Sequence, residues 1–189
     1  MNQNRARKTF SYKDKEISSY LNELGGINLE SSHYLLITAG SNNSAKKSFL
    51  SRVEKQRGEL KEISLRGIIT TDEKESYKNI DQMFSYIGET EKNLIFRHGD
   101  ILTGEYTGFT YSHVRYATPQ ERYLLNKITN SERFVVIDLN DKESIDKTLE
   151  RYAQAVVFFD EADSFFGKLK QISLNGHTFA NKRPAALEG

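Results

Sequence analysis

The chain has 189 residues, 37% hydrophobic and 28% charged, with a formal net charge of +1. That is enough for one well-filled core, and the charge is too balanced for general attraction to nucleic acid or anionic membranes. The absence of cysteine excludes disulfides, thiol catalysis and thiolate metal sites. No run reaches the roughly 18 apolar residues of a membrane span. The polar start from Asn2 to Glu16 holds no apolar signal-peptide core. A cytoplasmic protein without membrane or nucleic-acid partners is expected.

Residues 1–30 open with Arg5, Arg7, Lys8, Lys13, Lys15 and Glu16. Ile17, Tyr20, Leu21 and Leu24 then fall at helical spacing before Gly25 and Gly26, which predicts a short amphipathic helix after a mobile start. Its apolar face is expected to pack on the domain. Tyr34–Ala39 reads as a buried strand, Gly40 to Ser44 as a turn, and 45–56 as a helix with Phe49, Leu50 and Val53 inward. Residues 60–65 alternate as a strand does. Residues 73–86 read as a helix with Tyr77, Ile80, Phe84 and Ile87 on one side, ended by Gly88. A strand begins at Asn93, and Ile101-Leu102 could extend or repeat it. The pattern over 111–128 is helical, with Pro119 either kinking it or marking its true start. Phe134–Leu139 is a strand, Asn140-Asp141 introduces a helix over 142–152, and 155–159 is an unbroken apolar strand.

Five strands alternating with four helices imply a parallel sheet covered on both faces. The expected fold is an α/β three-layer αβα sandwich with a mainly parallel, about five-stranded sheet of P-loop or Rossmann-like type. The expected organisation is an arm and helix over 1–30, an α/β domain over 31–168 and a C-terminal extension over 169–189.

The last apolar strand stops at Asp160-Glu161, with Asp163 close behind. In parallel α/β sheets ligands bind beyond the carboxyl ends of the strands. An acid placed there can hold Mg²⁺ through water, and a second can orient or deprotonate an attacking water. Val157 through Asp163, with Gly167-Lys168, resembles the Walker B segment of AAA+ ATPases residue by residue. The resemblance implies ATP and Mg²⁺ as cofactors, with Asp160 as the metal ligand and Glu161 as the catalytic group that activates water.

A phosphate-cradling loop should then follow an earlier strand, with glycines that let backbone N–H groups close on phosphate, a lysine for the terminal phosphates and a hydroxyl for Mg²⁺. Two stretches have that context. In the first, Gly40 opens the turn and Lys46 holds the lysine position, but Ala45 replaces the second glycine and Lys47 replaces the hydroxyl, leaving Ser48 as its substitute. In the second, Gly104, Gly108 and Thr110 follow a segment that resembles the AAA+ entry to this loop, yet Phe109 stands where the lysine belongs. A loop without that lysine is not expected to support ordinary hydrolysis. The Gly88-Glu-Thr-Glu-Lys-Asn-Leu94 segment also resembles one that precedes Walker B in AAA+ proteins, but here it comes before the second loop. The region around Phe96 to Asp100 resembles a worn copy of Phe159 to Asp163, as an old duplication would leave. With so short a remainder after the acidic pair, the later strands, sensor residue, arginine finger and lid of a complete AAA+ motor are not expected.

Arg97-His98-Gly99 after a strand resembles the phosphate-accepting motif of histidine phosphatases, with His177 as the only candidate for the second histidine. The four histidines lack the close spacing of a helical zinc site. Phe165-Phe166 could meet a neighbouring subunit or cover the sheet edge. The basic helix face of Lys46, Lys47, Arg52, Lys55 and Arg57 is expected to be solvated. The sequence thus predicts a degenerate AAA+-like nucleotide-binding protein that acts mainly through assembly with a protein partner or its own copies, with weak or absent ATP hydrolysis. The alternatives are a non-enzymatic α/β scaffold and, less favoured, a histidine-phosphatase-like phosphohydrolase.

Overall fold

Every second residue of the central strands faces one side of the sheet, and both sides of those strands are apolar. In the computed structural model, which describes residues 7–103 and 117–160, this pattern builds a six-stranded sheet with all its pairings parallel. In chain order the elements are β1 (Lys8–Ser11), α1 (Ile17–Leu24), β2 (Tyr34–Ala39), α2 (Asn43–Arg57), β3 (Lys61–Ser64), α3 (Glu73–Ile87), β4 (Asn93–Arg97), α4 (Pro119–Thr129), β5 (Phe134–Leu139), α5 (Lys147–Tyr152) and β6 (Ala155–Phe158). The strands lie side by side in the order β1-β6-β2-β5-β4-β3.

On one face Leu35, Ile37, Phe96, Val135, Ile137 and Val156 pack with apolar residues of α3, α4 and α5. On the other, Tyr34, Leu36, Ile95, Phe134, Val136 and Val157 pack with α1 and α2. This is the three-layer α/β arrangement expected from the sequence, and the period-two alternation is what assigns residues to each core. The apolar face of α1 is buried against the domain through Ile17, Tyr20, Leu21 and Leu24. Among the described residues, no helix is long and apolar enough to cross a membrane.

Three local outcomes differ from the sequence expectation, and a fourth, at Pro119, follows one of its two alternatives, the true start of the helix. The sheet gains a strand, because β1 pairs along β6 with Thr9 opposite Val156. Its short polar sequence lacks the apolar run that marks a buried strand, and its first residues are exposed at the sheet edge. Residues Gly99–Leu102 form a 3-10 turn instead of continuing β4. The left-handed His98 (φ 61°) breaks the extended backbone there. Pro119 is the first residue of α4, with Thr118 accepting the Glu121 N–H as its cap; residues 111–116 lie outside the described residues. The expected helix over 142–152 is divided into a 3-10 turn at Lys142–Ser144 and α5. Asp146 caps α5 by accepting the N–H groups of Thr148 and Leu149.

Candidate functional site at the carboxyl ends of the strands

The chain leaves the sheet centre at β2, reaches the far edge at β3, and returns through β4 to β5, which pairs with β2 on one side. Its last described strand, β6, pairs with β2 on the other side. The connections out of β2 and β5 therefore separate above β2, where open α/β sheets form a crevice. The turn Gly40–Asn42, the amino end of α2, and the ends of β4, β5 and β6 meet there.

A charged cluster lies under that turn. Thr38 and Asp138 are register partners on β2 and β5, so both point to the α2 face. The Thr38 hydroxyl donates to Asp138 Oδ1 at 2.9 Å. Lys46, from the first turns of α2, is only 2% exposed. Its Nζ lies 2.9 Å from the same Oδ1 and also donates to the Leu139 carbonyl. Arg97 at the end of β4 gives its Nη1 to Asp138 Oδ2 at 2.9 Å, and its Nη2 lies 2.9 Å from Glu62 Oε2 on β3. Burial acts to lower the Arg97 pKa, but hydrogen bonds to Glu62 and Asp138 outweigh it and raise the group above its ordinary value. Both oxygens of Asp138 are thus engaged, and one network ties together β2, β5, β4, β3 and α2.

The Gly40 turn above this cluster is closed by its own neighbours. Gly40 N–H donates to Leu139 O, Asn42 N–H to Phe159 O, and Asn43 N–H to Ser41 O. Ser41 N–H donates to Asp160 Oδ1 at 3.1 Å. Asn42 caps α2 by accepting the Ala45 N–H, and its amide donates to the Tyr12 hydroxyl. Gly40 has φ 125°, and a Cβ there would lie 2.6 Å from Asp160 Oδ1. Asp160 Oδ2 faces Lys142 Nζ at 3.5 Å.

The structure therefore brings Gly40, Lys46 and Asp160 to one place. Lys47 and Ser48 are exposed on α2 and do not join the cluster. Glu161, Gly104, Gly108 and Thr110 lie outside the described residues, as do Asp163, Phe165, Phe166 and His177. Asp160 as a Mg²⁺ ligand remains an expectation; among the described residues no three His, Asp or Glu side chains converge on a point.

A triphosphate at the first loop needs free backbone N–H groups and a lysine that reaches them. Here the amides of Gly40, Ser41, Asn42 and Asn43 have internal acceptors, and Lys46 turns away beneath the turn toward Asp138. As arranged, these residues do not fit ATP. The phosphatase-like motif meets a similar obstacle, because Arg97 is held by Asp138 and Glu62.

Sequence reasoning missed Thr38, Asp138, Glu62 and Tyr12, and read Arg97 only as part of an Arg-His pair. One signal was present. Thr38 and Asp138 are the lone polar residues, each next to last, in two otherwise apolar strands. A polar group facing a core needs a partner. The 3-10 turn after β4 carries a second half-buried acid: Asp100 accepts the N–H groups of Asn140 and Asp141 in the loop after β5. Burial would raise its pKa, but these backbone bonds keep it below the usual carboxylate value.

No protein-family model matches this sequence, and no curated protein matches it. Among solved structures, it is similar to the FIGL-1 AAA domain, with 13% identity, a TM-score of 0.51, and coverage of 87% of this chain and 58% of that one. It is also similar to a chain of the E. coli MS115-1 HORMA:CdnC:Trip13 complex, with 16% identity, a TM-score of 0.49, and coverage of 79% of this chain and 56% of that one. This chain thus spans less than two thirds of the length of either neighbour. With its parallel sheet, the likeness to the FIGL-1 domain gives the chain an AAA-domain-like α/β fold.

Proposed function

We propose that this chain is a degenerate AAA+-like domain that binds ATP weakly or not at all, hydrolyses it slowly if ever, and works through assembly with a protein partner or its own copies. The observation that carries the reading is the position of Lys46. On an AAA-like sheet, the residue at the phosphate-lysine position is buried in an ion pair with Asp138. Asp160, the expected metal ligand, is bonded to Ser41 and faces Lys142. Cation and acid are both engaged within the chain, so catalysis would require these contacts to break first. A domain of this architecture whose strand-end groups are occupied by one another offers surfaces more readily than chemistry.

Calorimetric titration with Mg-ATP, paired with thermal melts, tests the reading. The expected result is no saturable heat and no melting shift below millimolar ATP, with phosphate release at the uncatalysed background. Micromolar binding with turnover that Glu161→Gln abolishes would establish a working ATPase and overturn it. Analytical ultracentrifugation, alone and with co-purified proteins, reads the assembly.

A further inference from the structure

The misfit between this site and ATP has a specific cause in Asp138. Its carboxylate touches two cations, Lys46 Nζ and Arg97 Nη1, each at 2.9 Å, and a hydroxyl, Thr38 Oγ1, at the same distance. Two cations and a hydroxyl converging on one anion form the donor set that would otherwise receive a phosphate oxygen. Asp138 sits on β5 beside β2, just below the Gly40 turn. The Leu139 carbonyl gives Lys46 a further acceptor in the same direction. Lys46 is thus held beneath the turn, while its sequence neighbour Lys47 lies in solvent.

We propose that Asp138 is an internal stand-in for a phosphate: its carboxylate keeps Lys46 retracted, and neutralising it turns the strand-end centre into an anion site for inorganic or nucleotide phosphates. The inference deepens the reading of a degenerate nucleotide site and rests on it. Without the carboxylate, Lys46 has no counter-ion and Arg97 keeps only Glu62, at a cluster that is partly open on the Arg97 side, where 30% of that side chain is exposed. A buried ammonium that has lost its carboxylate, beside a second cation, favours capture of an anion. Rotation of the long, flexible Lys46 side chain brings its ammonium toward the turn.

The test uses pyrophosphate and Mg-ATP as probes on wild type, Asp138→Asn and the double variant Asp138→Asn/Lys46→Met. Asparagine keeps the size of the side chain and its acceptor for Thr38. Wild type is expected to bind neither probe below millimolar concentration. Asp138→Asn is expected to bind pyrophosphate at least tenfold more tightly than wild type, and the double variant to lose that gain. A folded Asp138→Asn with no gain overturns the inference and leaves the degenerate-domain reading standing. Tight Mg-ATP binding by wild type overturns that reading and this one together. A gain retained in the double variant places the anion away from Lys46 and also overturns the inference.

A measurement on the wild-type protein does not depend on a variant folding. Brief acylation of native lysines, read residue by residue by tandem mass spectrometry, is expected to modify Lys47 at least tenfold faster than Lys46. Equal rates would show that Lys46 is not retracted.

Discussion

Asp160 places a carboxylate oxygen 3.1 Å from the Ser41 amide, across 119 residues of sequence. The contact is possible because Gly40, just before Ser41, has φ 125° and no side chain; a Cβ would meet Asp160 Oδ1 at 2.6 Å and the Phe159 carbonyl carbon at 2.9 Å. Gly40→Ala is therefore expected to cost about 2 kcal/mol or more, from backbone strain and the displaced end of β6. Asp160→Asn keeps an acceptor for Ser41 and is expected to cost well under half of that. Urea denaturation of both variants checks the order; an unperturbed Gly40→Ala would contradict the close approach.

Lys46 and Asp138 form a buried pair, and removing one partner leaves the other charged and poorly solvated. Lys46→Met is expected to destabilise the fold by about 3 kcal/mol. Replacing both, as Lys46→Met with Asp138→Leu, is expected to recover part of this loss, because a desolvated charge no longer remains on that side. Arg97 then loses one counter-ion but keeps Glu62, so recovery is incomplete. A double-mutant cycle from chemical denaturation measures the coupling; strictly additive losses would show that the two charges do not interact.

Glu121 is fully buried in the first turn of α4, and neither of its oxygens has another hydrogen-bond partner, nor does Asp146 Oδ2. Burial first, then the neighbouring Asp146 charge, raises its pKa from 4.5 to about 8. At neutral pH the carboxyl is protonated and can donate to Asp146. From about pH 4.5 to about 8 the folded protein keeps a proton that the unfolded chain has released. Stability from this group is thus full below that window, falls as pH rises through it, and is lost above it, with a total on the order of a few kcal/mol. Glu121→Gln removes this slope, so the variant should gain stability relative to wild type as pH rises from 5 to 9. Melting temperatures across that range provide the check, and parallel curves would contradict the shifted pKa.

Arg57 links the end of α2 to the end of α1. Its Nη1 donates to the carbonyls of Leu24 and Ile27 at 3.2 and 2.9 Å, and its guanidinium lies 5.3 Å from the centre of the Phe134 ring. Burial lowers its pKa from the ordinary arginine value. Arg57→Lys keeps the charge but loses the planar group, and is expected to cost about 1–2 kcal/mol. Hydrogen exchange should accelerate selectively at the carboxyl end of α1; uniform exchange across the domain would place the effect elsewhere.

The strand-end site was less legible than the strands themselves. The acidic pair after β6 and the glycine after β2 were visible as local patterns, and Asp160 does reach the Gly40 turn. No local pattern says that Lys46 turns away from the turn, because that depends on Asp138, which follows it by more than ninety residues. Arg97 looked like half of an Arg-His motif, yet its partners come from β3 and β5. β1 was hidden for a related reason: its four residues, Lys-Thr-Phe-Ser, carry weak strand character and are ordered by pairing with β6.

Sequence alone determined the parallel α/β architecture, because unbroken apolar strands alternating with amphipathic helices can bury both faces of a sheet in few other ways. It also determined most element positions, since hydrophobic period and capping residues act within a few residues of chain. Only the tertiary structure decided which charges meet. Strand order brings the ends of β2, β4, β5 and β6 together, and a buried lysine takes whichever anion that order supplies. Here the anion is the chain's own Asp138.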